Sequence, residues 1–534
     1  MRPLHILFVA ASLAACSSGA QPPARPAPAP APERPRLLVF FTIDQLHPDY
    51  LDRFAGQFTG GLARLTKGGA WFTNAFQDHA ITETAPGHAS TMSGRFPRST
   101  GIVGNLAGVL DPEFPLVGGT RGDPASPFRF RGTVLGDWLR YHNPRSRLVS
   151  VSRKDRGAIL PLGRARGEAY WYASNGTFTT SRYYGDTLPS WVQRFNARRL
   201  PQQYAKRTWT LLLDAASYPE PDTVDVESGG QDNIFPHPFP ADTATTTAVL
   251  ANYPMMDEVT LQLALEALNA RELGAARGRT DILAVSLSTT DAVGHKYGPD
   301  SREIHDQLLR LDRSLGAFLD SLYKVRDSSQ VVLALTADHA VAPYPTGLAR
   351  SRYRDVQGGY ADLRQAVGTL AASLAAAGVD STGYRWEWET LYLEPEAFAR
   401  AHVNRDSVAR DFAARAAKVE GVLRAEAWVD LVKKDVRNDD IGRRWQHMFP
   451  PDVPVGVVIT LKPFWYWAGV TFATHGSPHA YDAHVPVLFA GAGVRPGKHA
   501  EMARVVDMAP TLAELLGVQP MEALDGVVLR RAIR

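Results

Sequence analysis

Three apolar runs of this sequence end at or near an aspartate. Leu37–Ile43 runs into Asp44, Ile282–Ser288 reaches Asp291 three residues on, and Val331–Ala337 runs into Asp338. Histidines accompany two of them. His295 stands four residues after Asp291, on one side of a helical turn, and His339 follows Asp338 directly. Thr474-His475-Gly476 offers a further imidazole in a turn. Three carboxylates brought together repel one another unless cations neutralise them. Mixed Asp and His donors suit zinc, although manganese and iron also accept them, and two-metal sites hold their ions about 3.5–4 Å apart. Singly, an Asp after a strand is often a helix cap and a lone His has a bland role. The set together points to a metal centre.

A second element is Thr82-Glu83-Thr84-Ala85-Pro86-Gly87-His88-Ala89-Ser90. Proline is favoured in a helix's first turn, so Thr84 is expected at a helix N-terminus. Free N–H groups and the helix dipole there attract anions, and a metal there could hold the threonine as an alkoxide nucleophile. The plainer alternative is a threonine N-cap. A third element is Asn105 with Ser152-Arg153-Lys154-Asp155-Arg156-Gly157. Lys154 and Arg156 point the same way if the strand of Leu148–Val151 continues through them. Arginine grips phosphate bidentately and lysine acts as a point charge, yet such a pair alone is usually a solvated surface patch.

These residues need a scaffold that brings strand ends together. Leu37–Ile43, Ile282–Ser288, Val331–Thr336 and Val485–Phe489 read as buried strands of a largely parallel sheet. Leu261, Ala264, Leu265 and Leu268 share one helical face, and so do Leu308, Leu311, Leu315, Phe318, Leu319 and Leu322. Asp507 is expected to cap a helix running to Leu516 and ended by Gly517. Alternating strands and helices imply an α/β layered fold, in which ligands bind outside the carboxyl ends of the strands. Residues about 200–255, and about 340–470 with a helix over Asp362–Ala377 and a strand over Val455–Leu461, read as insertions or a cap over the sheet's edge. No internal repeat is visible.

Composition removes several function classes. The 534 residues are 45% hydrophobic and 21% charged, which excludes a wholly disordered or collagen-like chain. A net charge of +3 gives no basic field for nucleic acid. The one cysteine, Cys16, permits neither an intrachain disulfide nor a Cys-rich metal site. Met1 to Ala20 reads as a targeting segment, with Arg2 and the apolar Leu4–Ala11, too short for a membrane span. Leu13-Ala14-Ala15-Cys16 resembles a bacterial lipobox, with 1–15 as signal peptide and Cys16 lipidated; a plain secretory signal is the alternative. Seven prolines in 21–35 suit a semi-rigid spacer, so 16–35 reads as a linker and 36–534 as the catalytic body.

Together these motifs resemble the alkaline phosphatase superfamily, and within it the threonine-nucleophile bacterial phosphatases of the PafA type, relatives of the type I phosphodiesterases and nucleotide pyrophosphatases. The resemblance spans nearly all of 36–534. It includes Ser152–Leu160, Ala169–Tyr172 leading to Thr180-Ser181, Thr474–Pro478, Tyr481–Pro486 and Asp507–Thr511. It implies a three-layer αβα sandwich with a largely parallel central sheet and inserted cap segments. It also implies two Zn2+ ions, one on Asp291, His295 and His475, the other on Asp44, Asp338 and His339, with Thr84 on the second. Asn105, Lys154 and Arg156 would then hold the phosphoryl oxygens, and a phosphothreonine at Thr84 would form and be hydrolysed. The sequence departs from the family pattern at Ala340, where glycine is usual, at His479, where tyrosine is common, and at Leu106-Ala107-Gly108.

The implied activity is phosphate monoester hydrolysis, because Lys154 and Arg156 suit a dianionic phosphoryl group. A phosphodiesterase or nucleotide pyrophosphatase would share the metal ligands, Thr84 and Asn105. A sulfatase would need a modified Cys or Ser followed by Pro and Arg, which Thr84-Ala-Pro-Gly-His does not match. A non-catalytic phosphate-binding surface lipoprotein would have no use for Thr84. The expected partners are small phosphate monoesters, with no nucleic acid. The expected body is a monomer, in the periplasm or at the cell surface, touching membrane only through the lipid anchor.

Overall fold

A computed structural model describes residues 34–106, 108–350 and 353–534. The signal segment, Cys16 and the proline-rich linker lie outside the described residues.

The central sheet has nine strands: β1 Leu37–Ile43, β2 Ala70–Phe76, β3 Leu148–Ser152, β4 Glu168–Ala173, β5 Thr177–Thr179, β6 Asp281–Leu287, β7 Val331–Thr336, β8 Val487–Gly491 and β9 Gly497–Arg504. Their spatial order is β9-β2-β8-β7-β1-β6-β3-β4-β5. β1, β6 and β7 are buried at every position, as unbroken β-branched and aromatic runs require when both faces are covered. Side-chain alternation shows the two covering layers. Phe41 of β1 meets Phe318 of the long helix Arg302–Val325 edge to face, with ring centroids 5.6 Å apart. Ser286, paired with Thr42 in register and so on the opposite face, contacts His88 of the helix Thr84–Thr91. The three-layer α/β expectation is met.

Two strands run against the rest: β8 is antiparallel to both β7 and β2, and β5 is antiparallel to β4. β8 begins at Val487 rather than Val485, because Val485 N is taken by Ala75 O outside the strand. β6 begins one residue earlier than its apolar run, at Asp281. That carboxylate is buried and accepts from Arg147 N, Gly274 N and the Arg279 guanidinium.

The helix Met508–Leu516 ends at Gly517 in the left-handed conformation, as expected. Asp507 does not cap it. Its carboxylate instead accepts from Arg504 N at 2.8 Å and Val527 N at 2.9 Å, tying the chain's last segment to the end of β9.

The two suspected insertions differ. Residues 200–255 are no separate cap, since Trp209, Tyr218, Phe239 and Tyr253 join the main core. Trp209 Nε1 and Tyr218 Oη both donate to the buried Asp306 on the long helix. Residues 359–467 do form a unit with its own core. Strands Tyr384–Glu387, Thr390–Leu393, Val455–Leu461 and Val422–Ala427 make an antiparallel sheet in that spatial order. Helices Arg364–Ala376 and Arg405–Ala416 supply Leu370, Leu374 and Phe412 to the core beneath it.

The helix Thr84–Thr91 lies tight against the end of β7. A Cβ added at Gly87 would sit 2.3 Å from the Asp338 carbonyl oxygen. Gly87→Ala should therefore destabilise the fold by about 1–3 kcal/mol, read as a lower urea midpoint, because backbone rather than a flexible side chain must move.

Candidate functional site

Register decides where the aspartates meet. Leu37 stands opposite both Asp281 and Val331, so the carboxyl ends of β1, β6 and β7 are level. Asp44 follows β1 and extends its ladder, with its N–H donating to Leu287 O. Asp338 leaves β7. Asp291 lies in the first turn of the helix Thr289–Tyr297 beyond β6, and His295, one turn on, puts Nε2 3.1 Å from Asp291 Oδ1. β8 runs the other way, so the chain before it crosses this same edge. That loop brings His475 Nε2 to 3.7 Å from Asp291 Oδ1.

The three imidazoles are oriented alike. Nδ1 of His295 donates to Ala473 O at 2.6 Å, that of His475 to Thr82 O at 2.7 Å, and that of His339 to Ala340 O at 3.0 Å. Each backbone carbonyl fixes the tautomer and leaves Nε2, with its lone pair, facing the carboxylates, as metal-ligating histidines require. Ala340 thus serves with its carbonyl, and the missing glycine changes no donor.

Two groups of donor atoms lie within 4.8 Å of one another: Asp291, His295 and His475, and Asp44, Asp291 and His339. Asp338 Oδ2 is 3.6 Å from His339 Nε2. Asp44 Oδ1 and His339 Nε2 are buried without a hydrogen-bond partner among the described residues. Unpaired buried acceptors of this kind are expensive, and divalent cations would satisfy them. The donor set therefore fits divalent metal ions.

Lys154 joins this cluster. Its Nζ lies 2.6 Å from Asp44 Oδ2 and 2.8 Å from Asp291 Oδ2, and donates to Thr84 Oγ1 at 3.2 Å. β3 stops at Ser152, and Lys154 is the N-cap of the short helix Asp155–Ile159. The expected strand continuation through Lys154 and Arg156 is thus absent. Arg156 is the second residue of that helix, and its Nη1 keeps 3.5 Å from Asp155 Oδ1.

Thr84 is the first residue of its helix and Glu83 occupies the N-cap, so Thr84 is not a capping side chain. Asn105 Oδ1 accepts from Ala85 N at 2.9 Å, which uses one of the helix's free N–H groups and leaves Nδ2 as Asn105's donor. Glu83 Oε2 in turn accepts from Asn105 N at 2.7 Å.

The carboxylates respond differently to this crowding. Burial and the charges of Asp291 and Asp338 push Asp44 above its ordinary range. Burial also works against ionisation of Asp291, but Lys154 and His295 outweigh it and hold that carboxyl well below. Asp338 is held low despite burial, by His339 and His88. Desolvation works against a charged His295, but Asp291 pushes it up, whereas desolvation beside His339 and His295 drives His475 far down.

Three further residues support the site and were not singled out in the sequence. Gln45 donates through its backbone N to Asp338 Oδ1 and through Nε2 to Asp291 Oδ1, both at 3.1 Å. Its φ of 66° is the left-handed region, unusual for a non-glycine residue, and no local pattern signals it. His88 Nδ1 donates to Thr84 O at 2.9 Å and lies 3.1 Å from Asp338 Oδ2. Glu83 is the third; only the Thr84 motif around His88 and Glu83 could have flagged them.

A cavity of about 260 Å³ opens beside these groups, between Asn105, His295 and His475 on one side and the 359–467 unit on the other. His479, one of the departures from the family pattern, lines it, with Nε2 2.8 Å from Leu461 O. Ala107 lies outside the described residues, and its neighbour Leu106 is exposed.

The type I phosphodiesterase / nucleotide pyrophosphatase family matches over residues 38–469. Alkaline phosphatase PhoV of Synechococcus elongatus is 33% identical, covering 93% of this chain and 92% of the relative. Alkaline phosphatase PafA of Elizabethkingia meningoseptica is 29% identical, with 97% and 96% covered. The crystal structure of PafA superposes with a TM-score of 0.86 at 28% identity, over 94% of this chain and 100% of that one. These likenesses bear out the resemblance and the fold read from the motifs.

Metal analysis of the purified protein after zinc loading should find about two equivalents, and about one in His295→Ala. Affinity should fall as pH drops, because protons compete for His295, whose charged form Asp291 favours.

Proposed function

The chain belongs to the type I phosphodiesterase / nucleotide pyrophosphatase family, and from that premise we propose that it is a zinc-dependent phosphate monoester hydrolase acting through Thr84. The observation that carries the reading is Lys154 Nζ, in contact at once with the Thr84 hydroxyl and with two of the ligand carboxylates. The names of PhoV and PafA, both alkaline phosphatases, support it.

Asp291, His295 and His475 would hold one zinc, and Asp44, Asp338 and His339 the other, with Thr84 Oγ1 beside it. Bound there, the ions supply Lewis-acid stabilisation of charge on the entering and leaving oxygens. The protein's own part is positional and electrostatic. Lys154 donates to Thr84 Oγ1 and so favours loss of the hydroxyl proton. Thr84 Oγ1, its proton lost to solvent, attacks phosphorus in line. The new P–O bond forms as the bond to the leaving alkoxide breaks and the alkoxide takes a proton. Water then cleaves the phosphothreonine, releasing phosphate and restoring Thr84. Asn105, held by Ala85 N–H and by Glu83, presents its Nδ2 to a phosphoryl oxygen. Lys154 and Arg156 place two fixed cations beside a group that carries two negative charges in a monoester and one in a diester. Histidines with carbonyl-fixed tautomers keep the ligand lone pairs in place without reorganisation. The Cys16 motif fits a lipid-anchored location in the cell envelope.

Thr84→Ala should keep its zinc by metal analysis while kcat on an aryl phosphate falls by at least about 10³-fold, with Thr84→Ser retaining part of it. The Lys154→Ala/Arg156→Ala double variant should lose about 10²–10³-fold in kcat/KM on the monoester and much less on a matched diester. Equal losses on both esters would remove the argument for monoesters.

A further inference from the structure

We propose that the cavity between the metal centre and the 359–467 unit is a leaving-group subsite for phosphate monoesters of small ammonium-bearing alcohols. The inference rests on the phosphatase reading above. If Thr84 attacks a phosphoryl group held by Asn105 and Lys154, the alcohol portion has this cavity next to it, because Asn105, His295 and His475 form its near wall.

The far wall is aromatic and acidic. Trp388, Trp465, Trp467 and Phe472 line it together with Glu389, and among the described residues no lysine or arginine lines it. The two ends of the site thus differ in charge. The phosphoryl end holds Lys154, and the leaving-group end holds a carboxylate among indole rings. Aromatic faces with a carboxylate attract ammonium groups, primary or quaternary, and repel anions. An ester with a phosphate at one end and a cation at the other matches both.

The wall is built before any ligand arrives. Trp388 sits at the tip of the hairpin joining Tyr384–Glu387 to Thr390–Leu393, with φ of 43°, and is 53% exposed. A bulky residue in left-handed backbone is strained, and strain of this kind gathers at ligand clamps. Phe472 is 48% exposed and meets His295 edge to face at 5.5 Å. Trp467 Nε1 donates to Glu389 Oε1 at 2.8 Å, which orients the carboxylate. The Trp465 ring lies against Gly421, where an added Cβ would come within 2.1 Å of it. Glu389 is pushed up to about 7 by burial and by the charge of Glu83. A bound cation would relieve both effects.

The test compares phosphocholine with 3,3-dimethylbutyl phosphate, its uncharged isostere, on the zinc-loaded whole protein. We expect kcat/KM for the cationic ester to exceed that for the isostere by about tenfold or more. Glu389→Gln should bring that ratio close to one, and Trp388→Ala, at an exposed position, should lower it several-fold. Binding of the two esters to Thr84→Ala protein, measured by calorimetry, should show the same ratio. A ratio of one in the wild type, or one untouched by Glu389→Gln, overturns the inference. So does 5′-AMP outrunning both esters, which would make the cavity a base-stacking site. No turnover of these esters or of an aryl phosphate overturns the phosphatase reading, and this inference with it.

Discussion

Asp44, Asp291 and Asp338 leave three level strand ends and meet in an interior where like charges repel strongly. Their mutual repulsion, set against burial, is the constraint around which the rest of the site is arranged. It explains why Lys154 turns inward to touch two of them, and why Gln45 spends both its backbone and side-chain donors on the other oxygens. It also explains why three imidazoles are pinned by carbonyls with their lone pairs facing the same carboxylates. A neutral core could not hold these groups so close, and a solvated surface would not need to. Divalent cations would complete the balance, and a phosphoryl group is the natural further ligand for such a charged pocket.

Chain direction matters as much as charge. Parallel strands deliver their carboxyl ends to one edge, and β8, running the other way, delivers the loop before it. His475 therefore reaches Asp291 from almost two hundred residues away in sequence, with Thr82 O waiting to fix its ring. Close backbone approach completes the arrangement. Gly87 lets the Thr84 helix lie on the end of β7, and Gly294 leaves room for the Gln45 amide, whose Oε1 an added Cβ would meet at 1.8 Å. Any side chain at either position would push a ligand carboxylate's neighbour out of place.

The molecule divides its work between a rigid sheet edge and the unit at 359–467. The sheet edge places the groups that act on phosphorus, which must be positioned closely for in-line displacement. The cavity's far wall comes from a hairpin tip and loops, the parts of a fold that vary most freely without disturbing the core. On the proposed reading, phosphoryl chemistry and leaving-group preference would change independently, the first tied to β1, β6 and β7, the second to Trp388, Glu389 and Phe472.

Much of this protein was legible in its residues alone. Unbroken apolar runs marked β1, β6, β7 and approximately β8, because a strand buried on both faces needs them. The carboxylates and histidines at their ends were visible as a set, and Asp291 and His295 share a helical turn by spacing alone. Local pattern reaches about as far as one turn or one strand, and what lay beyond it required the tertiary structure. Strand order, the reversed β8 and the level ends of β1, β6 and β7 depend on pairing between segments far apart in sequence. The same holds for Gln45 bridging two carboxylates, Glu83 holding Asn105, and Asp507 tying down the end of the chain instead of capping its helix. Spacing alone places Lys154 and Arg156 on one side if the strand of Leu148–Val151 continues, but Lys154 instead sits at a helix N-cap and faces three acceptors, Thr84 Oγ1, Asp44 Oδ2 and Asp291 Oδ2. The aromatic and acidic wall of the cavity, from residues 388 to 472, had no signal in sequence, since only folding of the 359–467 unit brings Trp467 onto Glu389.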